Sequence, residues 1–286
     1  MITIFTDTSA NLPISLTDKY NISVLPFSYT VNGQELPYDN DWELDGKRFY
    51  SDMREGAEVK TSMINPDIMG TAFRKCLEKG EDVLYIGMSG GISGTANSAR
   101  IAAEELRAEF PERSIAAIDT YAASLGEGMR VLRAAEMRDG GISFKDIESC
   151  ILSERNRMCQ YFTVDDLKYL KKGGRISGSA AMIGTLLNIK PILKGDETGH
   201  IISCGKARGK KAALITLAEK YGALAADKKA DVGIAHADAP EDAETLIGLL
   251  KKQGFKGKVL NVCYEPVTGS HVGPGTVALF FPGTEK

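Results

Sequence analysis

The stretch Gly87-Met-Ser89-Gly-Gly-Ile-Ser93-Gly-Thr95 gathers small and hydroxyl residues at a spacing that could do chemistry. An apolar run precedes it and an alanine-rich run follows, so the pattern predicts a strand, a glycine loop and a helix start. Backbone amides and the helix dipole converge on an anion at such a start. Gly90, Gly91 and Gly94 permit close approach, and Ser93 and Thr95 carry hydroxyl donors. The same residues have a structural reading in which Ser93 caps the helix. Gly87-x-Ser89-x-Gly91 also matches a nucleophile elbow, and Ser89 or Ser93 with His271 would make a Ser-His hydrolase. An elbow turns straight into its helix, whereas here Gly90 and Gly91 intervene.

Three further stretches carry polar groups at notable spacing. Gly273-Pro-Gly275-Thr-Val-Ala278 fits the dinucleotide pattern G-x-G-x-x-A, but it leads into a strand-like run near the chain end with no βαβ unit behind it. What remains is a Ser270-His271-Val-Gly-Pro-Gly275 turn that presents one imidazole. Thr61 and Ser62 offer adjacent hydroxyls ahead of a Pro66 helix, suited to capping or to an anion. The third is basic: between Lys168 and Lys211 stand ten basic residues and two acidic ones, a local charge of +8. The remainder therefore carries −11 within a formal net charge of −3. Such a segment is either a solvated face or a patch for a phosphate or an acidic partner.

Several chemistries find no support. His200, His236 and His271 lack metal-ligand spacing, and the five cysteines form no C-x-x-C pair, so no metal is expected. No Walker A pattern is present, and the basic segment lacks interleaved aromatics, which argues against ATP and nucleic acid. The first residues read as a strand and no apolar run approaches the length of a membrane span, so a cytoplasmic protein with reduced thiols is expected.

The elements that must position these residues follow an α/β pattern. Strands are predicted at 2–6, 22–31, 82–88 and 114–119, with helices from Pro13 and at 66–79, from about 93 to 110, 122–138 and 144–157. Beyond them come a strand at 159–164, a short helix broken at Gly173-Gly174, an apolar helix at 179–187 and antiparallel strands about a 196–199 turn. Helices at 211–226 and 242–253 and strands at 231–236, 259–263 and 276–281 complete the chain. The 286 residues suit two domains, 1–158 with the anion loop and 159–286 with the basic segment and the histidine turn.

In their order and spacing these pieces resemble the DegV family. The resemblance rests on Thr6-Asp7-Thr8-Ser9-x-x-Leu12, Lys60-Thr61-Ser62, Ser89-x-x-Ile92-Ser93-Gly94-Thr95-x-x-Ser98-Ala99, and Asp119-Thr120 followed by Gly126-x-Gly128. It continues with Leu167-x-Tyr169-Leu-x-Lys-Gly-Gly-Arg175-Ile, Arg208-Gly and His271-Val-Gly-Pro-Gly275. One departure is that Met63-Ile64-Asn65 precede Pro66, where the family often has proline two residues after Thr-Ser. The resemblance implies a two-domain DegV-like fold: an N-terminal Rossmann-like domain with a parallel sheet, and a C-terminal α/β domain with a mixed sheet. It further implies a non-enzymatic, cofactor-free protein that buries a long-chain fatty acid in a tunnel. A separate ATP-dependent kinase would convert the carboxylate to an acyl phosphate. By position, the carboxylate would meet Thr61, Ser62, Ser93, Gly94, Thr95 and His271, and the kinase would dock on Arg175 and Arg208. Burying an acyl chain contributes ~0.8 kcal/mol per CH₂, while the buried carboxylate demands several donors.

Overall fold

The computed structural model describes residues 1–37, 46–176 and 188–284. In chain order the elements are β1 (Ile2–Asp7), α1 (Ile14–Lys19), β2 (Ile22–Leu25), β3 (Ser28–Val31), β4 (Gln34–Pro37), α2 (Gly46–Arg54), β5 (Val59–Ser62) and α3 (Pro66–Leu77). Then come β6 (Asp82–Gly87), α4 (Thr95–Glu109), β7 (Ile115–Asp119), α5 (Leu125–Asp139), α6 (Phe144–Glu154), β8 (Met158–Thr163) and α7 (Lys168–Gly173). The chain continues through β9 (Ile189–Gly195), β10 (Ile201–Arg208), α8 (Lys210–Leu224), β11 (Val232–His236), α9 (Pro240–Lys252), β12 (Val259–Cys263), α10 (Pro266–Val272) and β13 (Val277–Pro282). The helix expected at 179–187 lies outside the described residues. Among the described residues the backbone forms two compact units, 1–37 with 60–155 and 46–59 with 156–284. The contiguous division 1–158 and 159–286 contains no such excursion of 46–59.

The first unit is built on a parallel sheet of order β2-β1-β6-β7. Its central strands are apolar almost throughout, with Ile4, Val83, Leu84 and Ile86 all at 0% exposure, as expected of strands covered on both faces. Helix α3 places Met69, Phe73 and Leu77 on one buried stripe, and Phe73 meets Phe5 edge-on at 5.1 Å. Its start is set by Pro66 at the first turn and by Asn65, whose Oδ1 accepts the Ile68 amide at 2.9 Å. The residues that depart from the family pattern thus form a helix cap. A second, three-stranded sheet, β4-β3-β5, was not foreseen. Its β3–β4 hairpin turns at Asn32-Gly33, both in the left-handed region, the turn that this dipeptide signals.

The second unit carries a six-stranded sheet of order β10-β9-β8-β13-β11-β12, antiparallel except for the β11–β12 pair. Alternate residues of its strands, among them Cys159, Tyr161, Val277, Leu279, Phe281, Val232 and Ile234, form one core. Leu214, Leu217 and Tyr221 of α8 and Leu246 and Leu250 of α9 complete it. Helix α2 belongs here too: Tyr50 is fully buried, its hydroxyl donating to the Tyr264 carbonyl at 2.8 Å, and Arg54 pairs with Asp238 at 2.5 Å.

Candidate functional site

In the first unit, β1 is flanked by β2 on one side and by β6 on the other, so the chain reverses its direction of winding between β1 and β6. Ligands of open α/β sheets bind beyond the carboxyl ends of the strands at such a reversal. The loops at that place follow Asp7 and Gly87.

Asp7 ties these loops together. Its carboxylate accepts the Ser9 amide at 2.9 Å, the Ser9 hydroxyl, the Tyr85 hydroxyl at 2.5 Å and the Met88 amide. Ser9 Oγ also lies 2.9 Å from Glu127 Oε2, and Thr6 Oγ1 donates to Glu127 Oε1 at 3.0 Å. All of these side chains are buried. Burial pushes the Asp7 carboxyl above its ordinary range, against the opposing effect of its hydrogen bonds. Sequence reasoning noted Asp7 only as part of a motif; the missing signal was its position at the end of a buried strand.

The glycine loop spends most of its own donors internally. The Gly90 amide donates to Asp119 Oδ2 at 2.9 Å, Gly91 to Ser89 Oγ at 3.1 Å, and Ile92 and Ser93 to the Ser89 carbonyl at 3.2 and 3.1 Å. The amides of residues 90–93 are therefore engaged within the protein, which leaves the helix start itself for an anion. Of the first amides of α4, which have no partner within the helix, Thr95 turns to Ser93 Oγ, and Ala96 and Asn97 follow it. Ser93 Oγ and Thr95 Oγ1 lie 3.0 Å apart, and the Thr95 amide approaches Ser93 Oγ at 3.3 Å. The cap position itself is Gly94, not Ser93. Ser89 is fully buried, and its helix begins only at Thr95, so the elbow geometry is absent.

Thr61 and Ser62 end β5, and Met63 brings that strand's end onto the loop. A Cβ on Gly94 would lie 2.6 Å from Met63 Sδ, so the thioether rests on the glycine surface. Within this unit the residue after Thr61-Ser62 thus touches the glycine between Ser93 and Thr95.

In the second unit, His271 lies in the last turn of α10, not in the glycine-proline turn after it. The imidazole packs on Gly173, where any Cβ would overlap Nδ1. The Arg175 guanidinium donates to the Gly173 carbonyl. Burial, aided by the Arg175 charge, lowers the His271 pKa to about 4, so the ring is neutral at pH 7. The expected docking arginine and the expected head-group histidine are thus neighbours. Arg208 is exposed at the end of β10. Within the charged segment Lys168 pairs with Asp166 at 3.4 Å, Lys172 with Glu58 at 3.1 Å, and Lys190 and Lys210 with Asp165 at 2.6 and 2.9 Å. These ion pairs offset part of the segment's local charge, although Lys168 and Lys172 stay exposed.

No cluster of three potential metal ligands occurs among the described residues, and no described helix is long and apolar enough to cross a membrane.

These features define an α/β protein of two units, each displaying polar groups at the ends of its strands and helices. The chain belongs to the DegV family, described as uncharacterised proteins, whose family model matches residues 1–283. A DegV domain-containing protein of Clostridium perfringens is 39% identical over 284 residues, covering 99% of this chain and 98% of the relative. Among solved structures, a fatty-acid-binding DegV family protein of Streptococcus agalactiae superposes with a TM-score of 0.87 at 32% identity, covering 98% of each chain. A fatty-acid-binding DegV family protein of Thermus thermophilus gives 0.86 at 32% identity, again over 98% of each chain.

Proposed function

We propose that this protein binds a long-chain fatty acid and presents its carboxylate to a separate ATP-dependent kinase. The γ-phosphoryl group of the kinase's ATP would pass to a carboxylate oxygen, giving acyl phosphate and ADP. The donors assigned by family position are Thr61, Ser62, Ser93, Gly94 and Thr95 on the first unit and His271 on the second. The observation that carries the reading is the chemistry of these groups, which matches what the solved relatives bind. A buried carboxylate needs hydrogen-bond donors. The hydroxyls and α4 amides are uncharged donors, and the neutral His271 adds one N–H. Because that imidazole carries no charge, Arg175 is the cation beside it.

The hydrolase alternative, Ser89 or Ser93 with His271, is not favoured: Ser89 is buried, α4 starts too late for an elbow, and the solved relatives are fatty-acid-binding proteins. Arg208, and with it Arg175, would dock the kinase. The arginines differ as probes: reversing Arg175 also disturbs His271, whereas reversing the exposed Arg208 does not.

Denaturing the purified protein, extracting it with organic solvent and analysing the extract by mass spectrometry should yield stoichiometric long-chain fatty acid. Ser93→Ala and His271→Ala should each weaken fatty-acid binding about tenfold, the loss of roughly one hydrogen bond to a charged group. Affinity unchanged in both would overturn the head-group assignment. Arg208→Glu should abolish kinase-coupled phosphorylation while lipid affinity stays as in the wild type; retained phosphorylation would remove the docking role.

A further inference from the structure

Asp165 lies just ahead of α7, Lys190 on β9, Lys210 at the first position of α8, and Gly275 in the turn that follows α10. Lys210 joins these segments. Its Nζ donates to the Gly275 carbonyl and lies 2.9 Å from Asp165 Oδ1, with Asp242 Oδ2 at 3.8 Å. Lys190 Nζ reaches the same Asp165 oxygen at 2.6 Å. Burial would raise the Asp165 carboxyl, but the two lysines outweigh it and hold the group below its ordinary value. A cation in the first turn of a helix opposes the helix dipole. The lysine is placed by its carboxylates and carbonyl, and its side chain is only 19% exposed.

The turn that Lys210 grips has no slack. Gly273 and Gly275 both have φ near +80°, at 82 and 80. A Cβ at 273 would strike the Tyr169 ring, and one at 275 would strike the Asp165 carboxylate. The Gly275 amide donates to Ala237 at 2.7 Å, and Thr276 Oγ1 donates to the Val272 and Gly273 carbonyls at 3.0 and 2.8 Å. The turn is therefore pressed onto the 165–169 segment, and Lys210 closes it from the other side.

We propose that Lys210 is a positioning residue for His271. By bonding Gly275 and Asp165 at once, it holds the turn after His271 against the segment that carries Gly173 and Arg175, and so sets the burial of the imidazole. One side chain thereby couples the three stretches that bear Arg175, Arg208 and His271. The functional importance of this coupling rests on the reading that His271 takes the fatty-acid carboxylate.

The test is a histidine titration by NMR on the full-length protein, with the His271 resonance assigned from a His271→Gln variant. Lys210→Met keeps the stem and removes both bonds. It should move the His271 midpoint upward from about 4 by about one pH unit, toward the ordinary 6.5. His200 and His236 should not move, which separates this effect from general loosening. Lys210→Arg should keep the wild-type midpoint. Asp165→Asn, a near-isosteric change, should shift His271 in the same direction and carries the test if Lys210→Met does not fold. A His271 midpoint unmoved in the folded variants overturns the proposal. Fatty-acid affinity measured on the same samples should fall about tenfold in Lys210→Met. A shifted midpoint with unaltered affinity upholds the positioning role and removes the head-group reading instead.

Discussion

At the scale of single residues, proton counting decides what the buried acids do. Ser9 Oγ is within hydrogen-bond distance of both Asp7 Oδ1 and Glu127 Oε2, yet a hydroxyl has one proton to give. Both contacts are attractive only when one of the two carboxyls is itself protonated. The upward displacement of Asp7 by burial agrees with that count. A carboxyl raised in the native state contributes stability that is complete below its ordinary 3.8 and is lost as pH rises through the native value. Asp7→Asn, which mimics the neutral acid, should remove this loss. The wild type's urea midpoint should therefore fall more steeply than the variant's as pH is raised from 4, and parallel profiles would refute the assignment. Asp7→Ala leaves the Tyr85 hydroxyl and the Ser9 and Met88 amides without their acceptor, at about 1–3 kcal/mol for each buried group.

At the scale of elements, tight packing of backbone on backbone places the loops. Gly128, in the first turn of α5, faces the Ala10 carbonyl so closely that a Cβ would overlap it, with the Leu12 side chain next nearest. Gly128→Ala should therefore push α5 off the turn after β1 and destabilise the protein by at least 2 kcal/mol, within the range of overpacked core sites. A thermal midpoint within about 1 °C of wild type would contradict this. The strong elements were legible because their signals are local. Pro66 and the apolar stripe of α3, the alanines of α4 and the apolar run of β6 each state their own periodicity. Helix α10 was not legible, since its Gly269 and following Gly-Pro-Gly read as turn residues. Gly269 is small because the Tyr50 hydroxyl end packs against it, a partner more than two hundred residues away in sequence. The short strands β4 and β5 were missed for a similar reason, because β3 completes their sheet and their own sequences alternate weakly.

At the scale of the whole molecule, the segment 46–59 leaves the first half of the chain to complete the second unit. Tyr50 bonds Tyr264, Arg54 pairs with Asp238, Glu58 pairs with Lys172, and Tyr169 Oη donates to the Met53 carbonyl at 3.4 Å. A fragment comprising 156–286 should therefore be less stable than the same fragment with 46–59 attached through a flexible linker. Urea midpoints compare the two, and equal values would show that the excursion contributes nothing. Charge looks different at this scale as well. Part of the +8 counted along the chain meets acids from outside the segment, at Lys168, Lys172, Lys190 and Lys210, while Arg208 is exposed at the end of β10.

The sequence by itself determined the α/β class, because periodicity and caps are written locally, and through the order of its motifs it determined the family, whose resemblance implied the parallel and mixed sheets. Only the tertiary structure decided that Met63, next to Thr61-Ser62, lies against Gly94, that Arg175 stands beside a neutral His271, and that Asp7 and Lys210 bond the loops next to these groups. Burial and long-range hydrogen bonds set those relations, and both depend on partners that sequence spacing does not encode.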